Sequence, residues 1–75
     1  MTPTPIVLGD FGARVGQLRQ RRRWSQLRLA TACGLTTHQA VSHWESGHRL
    51  PHLPTLCLLA DTFGVTLDYL LRGRA

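Results

Sequence analysis

The sequence predicts a small all-α domain of five short helices, and three observations carry that prediction. Apolar residues recur at helical spacing along most of the chain. No stretch alternates apolar and polar residues for long enough to make a strand. The apolar runs are divided by glycines in helix-ending positions, Gly34, Gly47, Gly64 and Gly73, and Ser25 and Thr66 stand as capping hydroxyls ahead of the runs they open. Seventy-five residues fit one domain. A chain this short buries only about three fifths of its unfolded surface, so each packing contact weighs heavily.

Residues 1–9, with Pro3 and Pro5, read as a loose lead-in, and the domain is expected over 10–73. Asp10 stands where it could cap a first helix from Phe11 to Arg22, whose Phe11, Val15, Leu18 and Arg22 share one stripe. Gly12 and Gly16 weaken that helix by roughly 0.5–1 kcal/mol each relative to alanine. Ser25 caps a second helix, Gln26 to Cys33, with Leu29, Ala30 and Cys33 inward. Thr36 or Thr37 caps a third that runs to Ser46, so the span 37–46 is the expected third helix. Residues 48–52 form a loop, since Pro51 disfavours helix at Leu50. A fourth helix starts near Leu53, with Pro54 in its first turn and Leu53, Leu56, Leu59, Ala60 and Phe63 on its buried face. Thr66 caps a last helix carrying Leu67, Leu70 and Leu71.

Charge narrows the partners. Nine Lys+Arg stand against four Asp+Glu, a formal net charge of +5. All the cations are arginines, and Arg14, Arg19, Arg21, Arg22 and Arg23 fall within one short stretch. Such a surface suits a polyanion, or is a solvated face with no partner; charge alone leaves both open. No apolar run approaches the ~20 residues of a membrane span, and the basic-then-apolar plan of a secretory leader is missing. Cys33 and Cys57 sit in apolar runs and are expected as free thiols in a reducing cytosol. His48 and His52 have Pro51 between them, so no metal site is expected. Serine, cysteine and histidine are dispersed with no nucleophile, base and orienting group in series, so neither an enzyme nor a cofactor is expected.

On a helical wheel the third helix divides in two. Ala40, Val41, Trp44 and Glu45 fall on one arc, which suits packing; His38, Gln39, Ser42, His43 and Ser46 fall on the other, which holds only hydrogen-bonding groups and no carboxylate. That second arc suits a DNA major groove, where each base pair presents a distinct set of donors and acceptors. A polar helix face is more often merely solvated. Here the preceding cap, helix, glycine turn and helix, beside an arginine cluster, weigh towards recognition.

With these residues placed, the chain resembles the phage-repressor-like (lambda-repressor-like, xenobiotic-response-element type) helix-turn-helix domains. The resemblance covers about residues 11–73. It is carried by the ordered set Leu18-Arg19, Ser25-Gln26, Leu29-Ala30, Gly34, Val41-Ser42, Trp44-Glu45, Gly47, Pro51, Leu56, Leu59-Ala60, Phe63-Gly64-Val65 and Tyr69-Leu70. Two departures stand out. The turn 35–37 holds one residue more than the family's usual spacing, and Leu27 occupies a position where the family has an exposed polar residue.

The resemblance implies a five-helix domain whose second and third helices form the helix-turn-helix, bound to double-stranded DNA as a two-fold dimer on a palindromic operator. It implies base readout by His38, Gln39, His43 and Ser42. Phosphate contacts are implied for Gln26, which would also brace the recognition helix, and for Thr37 and Arg49; one or two of Arg21, Arg22 and Arg23 are expected to join them. It implies an Arg19–Glu45 ion pair. That pair also has its own physical reason: a carboxylate near a DNA surface repels phosphate unless an arginine neutralises it. Leu58, Tyr69 and Leu71, with Cys57 at the border, form the expected dimer patch. The function so implied is a transcriptional regulator, a repressor, in the cytoplasm at the nucleoid. Two alternatives are an antitoxin or restriction-modification controller with a protein partner such as a toxin, and an interaction module that keeps the fold without binding DNA.

Overall fold

The computed structural model describes residues 6–74, in which five helices follow one another: α1 Leu8–Arg21, α2 Gln26–Ala32, α3 Gln39–Glu45, α4 Leu53–Phe63 and α5 Leu67–Arg72. Residues 1–5, most of the expected lead-in, lie outside the described residues. α1 packs on α3 and α5, α2 packs on α3, and α4 packs on α5. The core between them takes Phe11, Val15 and Leu18 from α1, Leu29 and Ala30 from α2 with Cys33 at its end, Val41 and Trp44 from α3, Leu56, Leu59, Ala60 and Phe63 from α4, and Leu70 from α5. These are the residues that helical periodicity places on inward stripes.

Three expectations are corrected. α1 begins at Leu8, inside the expected lead-in, and its N-cap Val7 makes no side-chain bond; Asp10 lies within the first turn, where a carboxylate favours the positive end of the helix dipole without capping it. The third helix covers Gln39–Glu45 rather than 37–46: Thr36, Thr37 and His38 form a bend, and His38, not a threonine, occupies the N-cap with no side-chain bond. The extra residue of the turn is absorbed there, between Leu35, half-buried against the core, and the start of α3. Leu53 is 64% exposed rather than buried, because the first turn of α4 stands beyond the packed part of the helix.

The remaining caps agree with the sequence. Ser25 Oγ accepts the N–H of Arg28 at 3.0 Å, and Thr66 Oγ1 accepts that of Tyr69 at 3.0 Å. Ser25→Ala is expected to remove about 1 kcal/mol, lowering the melting temperature by ~4–8 °C, and Ser25→Asp to restore most of it; a Ser25→Ala melt superimposable on the parent would show that the cap contributes nothing. Arg14 locks α1 to α5, its Nε donating to Leu70 O at 3.0 Å and its Nη2 to Leu71 O at 2.8 Å. Both cysteines are free, Cys33 buried and Cys57 half-buried, and burial pushes the Cys33 thiol above its ordinary value.

Candidate nucleic-acid interface

α3 is held by one side and exposed on the other. Val41 is fully buried and Trp44 is 5% exposed, while His38, Gln39 and His43 are exposed and Ser42 is half-buried. The two arcs of the wheel are therefore physically separate. The imidazole and amide groups of His38, Gln39 and His43 together offer both donors and acceptors to a base edge. Thr37 is exposed in the bend just ahead of the helix.

A polar cluster fixes α3 at its C-terminal end. Arg19 of α1 grips Glu45 with Nε to Oε2 at 2.6 Å and Nη2 to Oε1 at 3.0 Å. Its Nη1 donates to Trp24 O at 2.7 Å. Gln26, the first residue of α2, donates from Nε2 to Glu45 Oε1 at 3.2 Å. α1, through Arg19, and α2, through Gln26, thus converge on the one carboxylate of α3, while Arg19 also holds the α1–α2 corner. Arg19 and Glu45 side chains are each only 14% exposed. The hydrogen bond that Arg19 donates to Glu45 pushes its guanidinium above its ordinary pKa, against the opposing effect of burial, so Arg19 stays charged. Gln26 braces α2 against α3, and its amide keeps a second N–H for another acceptor.

The arginine cluster divides in a way no local pattern reveals. Arg14 and Arg19 are committed to the contacts above. The guanidinium of Arg22 lies 5.2 Å from the Trp24 ring centroid and 5.5 Å from that of Phe63, and Arg28 lies 5.5 Å from Trp24. Trp24 itself leans on Phe63 at 6.2 Å. Arg72 pairs with Asp68 at 3.0 Å on the surface of α5. Among the described residues Arg21, Arg23 and Arg49 have side chains with no such engagement. Of the three consecutive arginines, Arg22 therefore serves the Trp24–Phe63 pair.

One contributor escaped the sequence. His52 joins His43, Trp44 and Arg49 around a recess of about 230 Å³ beside α3, with Leu35 and Leu50 on its apolar side. Its rim carries nitrogen donors and no carboxylate. A histidine beyond a proline in an irregular loop gives no periodic signal, so only the folded loop brings it to α3. Leu58 of α4 is 46% exposed, while Tyr69 and Leu71 of α5 are half-buried. No helix among the described residues is long and apolar enough to cross a membrane.

Comparison with known proteins agrees with this geometry. The helix-turn-helix family model matches residues 15–70. An SPbeta prophage-derived uncharacterized HTH-type transcriptional regulator of Bacillus subtilis, YonR, is 38% identical over 63 residues, covering 84% of this chain and 57% of that protein. The HTH-type transcriptional regulator AnsR of the same organism is 38% identical over 58 residues, covering 77% and 49%. The chain spans about half the length of these curated relatives. Among solved structures, the P22 c2 repressor in complex with synthetic operator 9T has 28% identity and a TM-score of 0.80, covering 85% of this chain and 96% of that one. The restriction-modification controller protein C.AhdI of Aeromonas hydrophila has 31% identity and a TM-score of 0.75, with the same two coverages.

Proposed function

The chain belongs to the helix-turn-helix family, and on that footing we propose that it is a sequence-specific DNA-binding regulator of transcription, a repressor, that reads the major groove with α3 and the bend ahead of it. The observation that carries the reading is the division of α3: Val41 and Trp44 anchor it while His38, Gln39 and His43 stand in solvent with no carboxylate beside them. Arg49, Gln26, Thr37 and one or two of Arg21, Arg22 and Arg23 would hold phosphates, and His38, Gln39, Ser42 and His43 would select the sequence. The protein would act in the cytoplasm as a binding protein rather than an enzyme. Two copies would place their reading helices about 34 Å apart on a palindromic site, meeting through Leu58, Tyr69 and Leu71.

Selection of bound fragments from a random duplex pool, followed by binding to the selected site at two salt concentrations, tests this. A selected motif with two-fold symmetry and a steep salt dependence is expected. An unenriched pool, or indifference to every duplex in dilute buffer, would end the reading. Within the selected site, Gln39→Ala is expected to lose about 1–3 kcal/mol at one base pair and to relax selectivity there. Arg49→Ala is expected instead to weaken all duplexes alike. The reverse pattern would exchange the two roles.

A second reading is a restriction-modification controller, favoured by the likeness to C.AhdI over nearly all of that chain; an antitoxin would share the fold. Such a protein would bind DNA in the same way. A methyltransferase or toxin gene beside its own, or a toxin that copurifies with it, would separate this reading from the first.

A further inference from the structure

We propose that Arg23, alone among the three consecutive arginines, sits in a strained backbone conformation because its side chain is needed on a DNA phosphate. This rests on the DNA-binding reading above and assigns a phosphate contact within it.

Four helices end alike. At each end one N–H reaches back five residues and the preceding one reaches back three: Trp24 N to Arg19 O at 3.2 Å with Arg23 N to Gln20 O at 2.9 Å, and correspondingly Leu35 to Ala30 at 2.8 Å, His48 to His43 at 3.0 Å and Val65 to Ala60 at 3.0 Å. This closure puts the residue at the turn in the left-handed region, where a β-carbon is penalised. Gly34, Gly47 and Gly64 take that place in α2, α3 and α4, with φ of 77°, 81° and 66°. At the end of α1 the residue is Arg23, φ 58°, the one non-glycine residue with positive φ among those described.

The backbone bonds of the closure hold this conformation, but the Arg23 side chain adds nothing inside the molecule to offset its strain. Arg23 is exposed, and its side chain has no hydrogen bond, ion pair or ring contact among the described residues. Its neighbours have local reasons to be arginine: Arg21 lies in the last turn of α1, where a cation favours the helix dipole, and Arg22 covers Trp24 and Phe63. A charge wanted only for solubility would sit at any unstrained surface position. Strain of this kind gathers where a side chain serves a partner. The corner is also rigidly tied to the reading helix, because Arg19 bonds Trp24 O and Glu45 at once. An arginine on this corner therefore holds a fixed place relative to α3, and its planar fork matches a phosphodiester.

The test sets stability against binding in the full chain. Arg23→Gly, Arg23→Ala and Arg23→Lys are melted, then titrated by fluorescence anisotropy against the selected duplex over a salt series. Arg23→Gly is expected to melt ~4–8 °C above Arg23→Ala and no lower than the parent. Both are nevertheless expected to bind more weakly, with the log-log salt slope shallower by about 0.9, one phosphate contact. Arg23→Lys keeps the slope. An Arg23→Gly protein with the parent's affinity and slope overturns the assignment while leaving the DNA reading intact. A parent that binds no duplex overturns both.

Discussion

Arg19→Ala is expected to remove about 3–5 kcal/mol of folding free energy, because it leaves Glu45 as a mostly buried carboxylate without its charged partner. A chain of this length commonly has only about 4–11 kcal/mol in total, so the loss takes a large share of its stability and the unfolding midpoint should fall steeply. Gln26 remains as a single neutral donor to Glu45, 3.2 Å away, and moderates the loss without replacing a cation. Arg19→Lys is expected to fall between, since lysine cannot span both Glu45 oxygens and Trp24 O as the arginine fork does. The companion experiment replaces both partners, Arg19→Met with Glu45→Met, which removes the charge to be solvated and should recover most of the stability. Urea titration followed by tryptophan fluorescence reads all three. A parent-like midpoint for Arg19→Ala would show that the pair adds nothing to the fold. Since Glu45 ends α3, the surviving folded Arg19→Ala protein should also lose affinity for all duplexes equally, unlike Gln39→Ala.

That pair was legible because the family resemblance implies both partners, and because an acid on an inward arc beside a helix of arginines calls for neutralisation. The core was legible for a similar reason: burial in short helices leaves a periodic trace, and Phe11, Val15, Leu29, Val41, Leu59 and Leu70 all fall on it. Ser25 and Thr66 were readable as caps because a capping side chain bonds an N–H only three residues ahead. Where the partner is distant or lacking, the sequence misled. Val7 caps nothing with its side chain, so the true start of α1 carried no mark. Thr36 and Thr37 looked like caps, but the longer turn placed His38 at the helix start. The arginines are the clearest case. Arg14 and Arg21 have the same local character, yet Arg14 bonds a carbonyl 57 residues away and Arg21 has no partner among the described residues. Charge counted along the chain therefore overstated the surface left for a polyanion.

The same long-range blindness hid the purpose of Gly12, whose replacement is the second large effect. From sequence it is a weak point in α1 that could permit close packing, with no partner named. In the fold, a β-carbon added there would meet Trp44 O and stand 2.6 Å from Glu45 O, inside any tolerable contact. Both obstacles are backbone carbonyls of α3, which cannot swing aside as a side chain would. Gly12→Ala should gain ~0.5–1 kcal/mol in helix propensity, but overpacking a fixed surface costs about 1–3 kcal/mol and sometimes more, so the steric effect wins. Gly16→Ala supplies the opposite sign in the same helix. Its β-carbon would stand 3.5 Å from Glu45 Oε1, ordinary contact, leaving the propensity gain largely intact. Forcing α1 from α3 at Gly12 also draws Glu45 away from Arg19, so Gly12→Ala and Arg19→Ala should be less than additive in a double-mutant cycle. If Gly12→Ala melts at or above the parent, α1 and α3 do not approach as closely as described, and the fixed platform beneath the reading residues is lost with that approach.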